Sequence, residues 1–466
     1  MKNILKDIRT YFIALLVISV VWFIGQLILY PVLPTKYFIL MTIVLLVIAG
    51  LLTLTQYKIK NKITRILGKV FIVLLSLILI LVNFTYLKTV DLFGNIVSTE
   101  DTDVVSVIVR DDSTYQYIED LKGKTYSTID TRNQYVDQTL DNIKEENKEE
   151  DMNLKYYSGV EKLVNALYDE NVDCIVINES YRAVIEDTYN TFTDDTRVIY
   201  SKSYTIQEEV VEQKKIDVTK DTFSLYVSGI DTYGSISTQS RSDVNMIVTI
   251  NPTTKNILLT SIPRDYYIPF QVLNGEKDKL THSGLYGVNE TKTNVGNYFG
   301  IEIPYYVRVN FTSLIDIVDA IGGIEVDNPR AFQDFKKGTI HLNGEQALRF
   351  SRDRYSFSAG DRERGRNQMR VITGIINKVV SPAIINNYMS LLDSLGSSFQ
   401  TNLTEDEMLS LIRMQINDMS SWTITTQSVD GSGASLYSPI YGSKLYMMIP
   451  NGDSVNDAQM SILSLY

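Results

Sequence analysis

Three apolar runs open the chain, at roughly residues 11–30, 37–55 and 70–87. Each is long enough to cross a hydrocarbon layer of about 30 Å as a helix. No small-residue cleavage pattern follows the first run and two more come after it, so a removable secretion signal is a poor reading. Lys2, Lys6 and Arg9 precede the first run, and Lys58, Lys60, Lys62, Arg65 and Lys69 separate the second from the third. Basic residues favour the cytoplasmic side. The pattern therefore predicts a multi-pass cell-membrane protein with a cytoplasmic N-terminus and an extracytoplasmic body beginning near Asp91, out of reach of cytosolic ATP.

From Thr102 to Lys215 the periodicity changes to short strand-like and helix-like pieces such as "VVSVIVR" and "EKLVNALYDENVDCIVINES", which predicts a small α/β unit. The charged "DNIKEENKEED" inside it reads as a solvated helix and loop. After a polar link, "FSLYVSGID", "VNMIVTINP" and "NILLTSIPRD" are strands that run into polar loops. Helical patterns follow in "TSLIDIVDAIGG", from Arg364 to Val380, and in "TEDEMLSLIRMQI". The predicted fold class is α/β. Transmembrane helices (1–90) come first, then a small α/β accessory domain (102–215), then an α-β-α sandwich (222–466) with a mixed central sheet. Ligands in such folds collect where strands end.

Composition narrows the function. A formal charge of −11 over 466 residues lacks the basic footprint of a nucleic-acid binder, so no nucleic-acid partner is expected. Cys174 is the single cysteine and His282 and His341 the two histidines, which excludes an internal disulfide framework and a zinc site of the usual kind. Cys174 lies in an apolar strand and reads as a core residue rather than a nucleophile.

Against this acidic background, "RDRYSFSAGDRERGRNQMR" carries six arginines between Arg352 and Arg370. On a helix starting at Asp361, Arg364 falls at about 300° and Gln368 at about 340°. Ile372, Ile375, Ile376 and Val379 share that arc, so Asp361, Arg364 and Gln368 should begin the inward face while Arg362, Arg366 and Arg370 point to solvent. An inward arginine needs a partner, which Asp361 can partly supply, and a helix N-terminus beside guanidinium groups suits an anion. Gly365 suggests a close approach by backbone or ligand. "GIDTYGSISTQSRSD" places Asp231 after one strand and Arg241 and Asp243 before the next; "SIPRDYYIP" places Arg264 at the end of a third. Each motif alone has a bland explanation, an Asx turn or a surface ion pair. Two carboxylates at neighbouring strand ends, facing arginines, together suit Mg²⁺ shared with a pyrophosphate.

The combination "GIDTYG…RSDVNMIVTINP…LLTSIPRD…RFSRDRYSFSAGDRERGRNQ" resembles the LytR-CpsA-Psr family over roughly Thr222 to Tyr466, in its capsule branch with three spans and an accessory domain. That resemblance implies a Gram-positive cell-surface enzyme, a phosphotransferase moving a glycopolymer, such as capsular polysaccharide, from a polyprenyl-pyrophosphate carrier to peptidoglycan. It implies Mg²⁺ on Asp231 and Asp243, and pyrophosphate held by Arg241, Arg264, Arg352, Arg354, Arg364 and Gln368. Arg264, Arg364 and Asp361 would be catalytic, Asp361 by orienting Arg364, and the lipid tail would occupy an apolar tunnel. Capsule polymerisation and export proteins are conceivable partners. The general base stays open, Asp243 serving only if the metal leaves it free. Two alternatives stand beside the transferase: a membrane-anchored lipid pyrophosphatase using water as nucleophile, and a non-catalytic regulator binding polyanions.

Overall fold

The computed structural model describes residues 8–31, 34–97, 101–148, 151–206, 215–230, 236–237, 239–357, 360–381 and 399–466, with only the backbone of residues 88–97 and of Asp361. Asp231 lies outside the described residues. Helices α1 (Ile8–Leu29), α2 (Thr35–Tyr57) and α3 (Lys62–Val97) contain the three apolar runs and are long and apolar enough to cross a membrane. They are apolar almost all round, as lipid-facing helices are. Leu16, Val20, Phe23, Leu45, Ile72 and Leu79 form their mutual core.

The accessory region is a mixed sheet of β1 (Thr102–Arg110), β2 (Thr125–Ile129), β3 (Asn153–Tyr157), β4 (Cys174–Asn178) and β5 (Thr196–Thr205) in the order β3-β2-β4-β1-β5. Helices α4 (Gln134–Asn147) and α5 (Val160–Tyr168) pack on it, followed by the short α6 (Arg182–Glu186) and α7 (Phe192–Asp195). Cys174 is fully buried in β4, where burial pushes its thiol well up and makes it inert.

The larger region is built on a mixed sheet of β6 (Phe223–Ile230), β7 (Ser242–Asn251), β8 (Asn256–Ile262), β11 (Tyr305–Val309), β14 (Gln400–Thr401) and β15 (Thr423–Ser428), ordered β14-β11-β6-β7-β8-β15. Small ribbons flank it: β9 (Tyr267–Pro269) with β10 (Lys277–Lys279), β12 (Ile324–Asn328) with β13 (Gly338–Leu342), and β16 (Gly431–Tyr437) with β17 (Lys444–Pro450). Its helices are α8 (Val288–Phe299), α9 (Phe311–Ala320), α10 (Gly344–Arg352), α11 (Asp361–Val380) and α13 (Gly452–Leu463), while α12 (Glu405–Asp418) belongs to the compact unit of the three apolar helices.

Side chains alternate faces along each strand. Tyr226, Ile247 and Leu258 join the core beneath Val295 and Phe299 of α8 and Val455 and Ile462 of α13. Val227 and Val244, one step out of phase, line a cavity on the other face together with Val371 and Ile372 of α11. The sandwich predicted from the alternation is thus present, and one of its faces is left partly unfilled.

Met1–Val97 and Thr404–Ser420 form one compact unit; Ser98–Leu403 and Ser421–Tyr466 form another, holding the accessory region and the larger sheet together. Within this second unit the accessory core continues into the larger one, with Leu163, Ile177 and Phe192 in the same cluster as Tyr266, Leu285 and Tyr441. Val160 N and Glu161 N donate to Ile440 O and Tyr441 O. Gly159 and Gly442 face each other there: a Cβ on Gly159 would lie 2.4 Å from Gly442 Cα, and both have positive φ, 96° and 88°. A buried ion pair, Arg308 Nη1 to Asp101 Oδ1 at 2.8 Å, also bridges the two regions.

Candidate active site

Strand topology explains why distant motifs meet. β6 and β7 are antiparallel with Ile230 opposite Ser242, and β7 and β8 are antiparallel with Asn245 opposite Ile262. The end of β6, the start of β7 and the end of β8 therefore share one edge. β11 runs parallel to β6 and β15 parallel to β8, which brings Val309 and Ser428 to the same edge.

Arg241 and Asp243 flank the first residue of β7 and Arg264 follows β8 by two residues. All are largely buried, with side chains 9%, 9% and 14% exposed. Arg264 Nη1 donates to Asp243 Oδ1 at 2.9 Å, and Thr281 Oγ1 donates to the same oxygen at 2.8 Å. Arg241 Nη2 lies 3.7 Å from Asp243 Oδ2. Burial alone would raise the Asp243 pKa, but Arg264, Arg241, the Thr281 hydroxyl and Arg364 together hold it well below the usual carboxylate range. A carboxylate so firmly ionised is a poor proton acceptor, which weighs against Asp243 as the general base. Burial also works against the charge of Arg241, yet Asp243 and Asp187 outweigh it and keep the guanidinium charged.

A cavity of about 640 Å³ opens at this edge. Arg241, Arg264, Arg352, Arg354, Arg364, Gln368 and Asp243, all proposed from sequence, line it. Arg352 closes α10 and stacks over the Phe311 ring at 4.1 Å, while Arg354 Nη2 donates to Tyr355 Oη at 2.7 Å. Asp361 begins α11 as expected, though its side chain is not described, and Asp231 falls outside the described residues. Apolar walls come from Val227, Val244, Val309, Leu314, Leu348 and Ile372. Cationic and apolar surfaces thus meet in one cavity, a shape suited to an amphiphile with an anionic head.

Buried polar atoms are left over here. Among the described residues, Arg241 Nε has no hydrogen-bond acceptor and Asp243 Oδ2 no donor. Such atoms are uncommon and call for an occupant. The N–H suits a phosphate oxygen, and the carboxylate oxygen suits a hard cation such as Mg²⁺. Among the described residues there is no cluster of three or more His, Cys, Asp or Glu able to hold a metal, so a magnesium ion here would share its coordination with phosphate or water.

Three sequence expectations need correction or extension. Arg364 and Gln368 do face the cavity, but the buried stripe of α11 runs through Glu363, Asn367, Val371 and Gly374, and Val379 is 37% exposed. The apolar face is rotated because Glu363 is buried as an ion, accepting from Arg366 Nη1 at 2.7 Å and Arg370 Nη1 at 2.8 Å. Arg366 and Arg370 are therefore not merely solvated, and Arg362 pairs with Asp430 at 2.6 Å. Within the protein the close approach to Gly365 comes from a side chain rather than backbone: a Cβ there would lie 2.8 Å from Ser261 Oγ on β8. Thr281 and Asp187 were missed. Thr281 is an uncharged residue in a charged run and Asp187 a lone carboxylate after a short helix, and only the folded chain brings them to β7.

Residues 191–459, more than half of the chain, match the LytR_cpsA_psr family. The chain belongs to the LytR-CpsA-Psr family. A relative from Enterococcus faecalis V583, the polyisoprenyl-teichoic acid–peptidoglycan teichoic acid transferase TagU, is 40% identical over 221 residues, 45% of this chain and 72% of that one. The protein of the same name from Bacillus anthracis CDC 684 is 38% identical over 193 residues, 40% of this chain and 63% of that one. Among solved structures, TagV of B. subtilis is 28% identical, covering 53% of this chain and 97% of that one with a TM-score of 0.45. The family match begins four residues after Asp187, so most of the accessory region stands outside it.

Proposed function

We propose that this LytR-CpsA-Psr protein is a phosphotransferase. It moves a glycopolymer from a polyprenyl-pyrophosphate carrier to peptidoglycan outside the cell membrane, with capsular polysaccharide as the polymer. The observation that carries the reading is the cavity in which arginines surround a buried carboxylate and adjoin an apolar wall. The pyrophosphate would lie among Arg241, Arg264, Arg352, Arg354 and Arg364, and the prenyl chain along Val227, Val244 and Ile372. The relatives named as teichoic acid transferases support a polymer-to-peptidoglycan reaction.

Asp243, with Asp231 as the second carboxylate, would hold Mg²⁺, which supplies charge neutralisation to the phosphate oxygens. A peptidoglycan hydroxyl attacks the sugar-linked phosphorus, forming a phosphodiester as the bond to the bridging oxygen breaks. Polyprenyl phosphate leaves and can take up the hydroxyl's proton. Because the carrier already bears an activated leaving group, neither ATP nor a covalent enzyme intermediate is required. The arginines act by stabilising charge that builds on the non-bridging and leaving oxygens. Capsule polymerisation and export proteins are natural suppliers of the carrier-linked polymer.

The test uses full-length protein in vesicles with labelled carrier-linked glycan and peptidoglycan. Label bound to peptidoglycan supports transfer. Carrier cleavage with glycan phosphate released only into solution would make the enzyme a pyrophosphatase, and binding without turnover would make it a polyanion receptor.

A further inference from the structure

One wall residue of the cavity comes from the accessory region. Asp187 follows the last residue of α6 and accepts a hydrogen bond at 2.5 Å through Oδ2 from Arg241 Nη1. The carboxylate is about half exposed while its guanidinium partner is 9% exposed. A negative charge at a helix C-terminus opposes the helix dipole, so the placement does nothing for α6 itself. The guanidinium is the group that profits.

The contact can bear load because the accessory region does not hang loosely. The shared core, the Gly159–Gly442 approach and the Arg308–Asp101 ion pair fix it to the larger sheet at points well apart in sequence. A carboxylate mounted on that body can set the direction of Arg241 as firmly as one on β7. The division of atoms agrees: Asp187 engages Nη1, Asp243 lies near Nη2, and Nε is buried without an acceptor among the described residues. The Nε–Nη2 edge is the side-on fork that matches two phosphate oxygens.

We propose that Asp187 is a positioning residue. The accessory region completes the pyrophosphate site by holding Arg241 through Nη1, so that the Nε–Nη2 edge is presented to phosphate. This gives the accessory region a role in the reaction, and it rests on the transfer reading above. The competing possibility, a carboxylate standing where phosphate must bind and so blocking it, predicts the opposite sign.

The experiment measures transfer by full-length Asp187→Ala, Asp187→Asn, Asp187→Glu, Arg241→Ala and the Asp187→Ala/Arg241→Ala double variant, with Arg364→Ala as control and melting temperature checked for each. Loss of positioning should lower kcat of Asp187→Ala about tenfold while KM for the carrier changes by less than about threefold. Glutamate should restore most of the loss and asparagine less. The double variant should be no slower than Arg241→Ala alone, because Asp187 acts through that arginine. A merely structural residue would instead lower the melting temperature, and its loss would multiply with that of Arg241. Unchanged or faster turnover in Asp187→Ala and Asp187→Asn, with Arg364→Ala impaired, overturns the inference and leaves the transfer reading standing. Full activity in Arg364→Ala as well would overturn both.

Discussion

Arg364 and Arg370 sit six positions apart on α11 and do different work. Arg364 lines the cavity beside Asp243, whereas Arg370 donates to Glu363 and Asn367 at 2.8 and 2.5 Å. Arg364→Ala should remove a charge-assisted contact of about 1.5–3 kcal/mol and slow transfer roughly ten- to a hundredfold, with lysine restoring only part because a point charge lacks the planar fork. Arg370→Ala should leave kcat nearly intact but destabilise the folded unit by about 1–3 kcal/mol, since the buried Glu363 loses one of its two guanidinium partners. Steady-state kinetics and urea unfolding separate the two, and equal kinetic losses would contradict the division. Asp243→Ala should abolish Mg²⁺-stimulated transfer in a protein that still melts cooperatively; titration of Mg²⁺ against rate is the check. Arg364 and Gln368 could be read from sequence because polar residues inside a helical period face one way. The buried Glu363 could not, since hydrophobic periodicity assigns a glutamate to solvent and is blind to the arginines one turn and two turns later that let it stay inside.

At the scale of elements, β6, β7, β8, α9, α11 and α12 followed from alternation and period; the helices α8 and α13 did not, and neither did the short ribbons β9–β10 and β16–β17. Their three to seven residues carry too little pattern, and tertiary hydrogen bonds hold them instead. Asp278 of β10 is the clearest case. It is fully buried, lies 2.9 Å from His282 Nδ1, and accepts from Ser438 Oγ at 2.8 Å and Ile440 N at 3.1 Å. One carboxylate thus pins the turn between β16 and β17, the same turn that receives Val160 and Glu161 of the accessory region. Burial would raise its pKa, but His282 and the backbone donors lower it overall. The stabilisation is therefore complete above the unfolded value of about 3.9 and is lost as pH falls through the lower folded value. Urea midpoints measured from neutral pH down to about pH 3 should decline on the acid side for the native chain. In Asp278→Asn the midpoint should be lower at pH 7 and the acid decline shallower; an unchanged slope would remove Asp278 from the account.

For the whole molecule, the basic residues Lys58, Lys60, Lys62, Arg65 and Lys69 between the second and third apolar runs predict that the body lies outside. Protease added to sealed protoplasts should digest it, and protection of the body would reverse the assignment. The three apolar helices and the two α/β regions were legible because each is a local pattern. Their union was not, since Asp101–Arg308 and Asp187–Arg241 join residues 207 and 54 positions apart that no local pattern links. One pairing in the accessory sheet bears on how such an architecture could arise. Thr102 at the start of β1 lies directly opposite Thr205 at the end of β5, so the chain enters and leaves the accessory sheet at nearly the same point. A segment with adjoining ends can be gained by an ancestral gene as a single insertion without stretching what flanks it. Once acquired it is hard to give back: precise excision would close the chain easily, yet strip apolar cover from Tyr441 and Leu285.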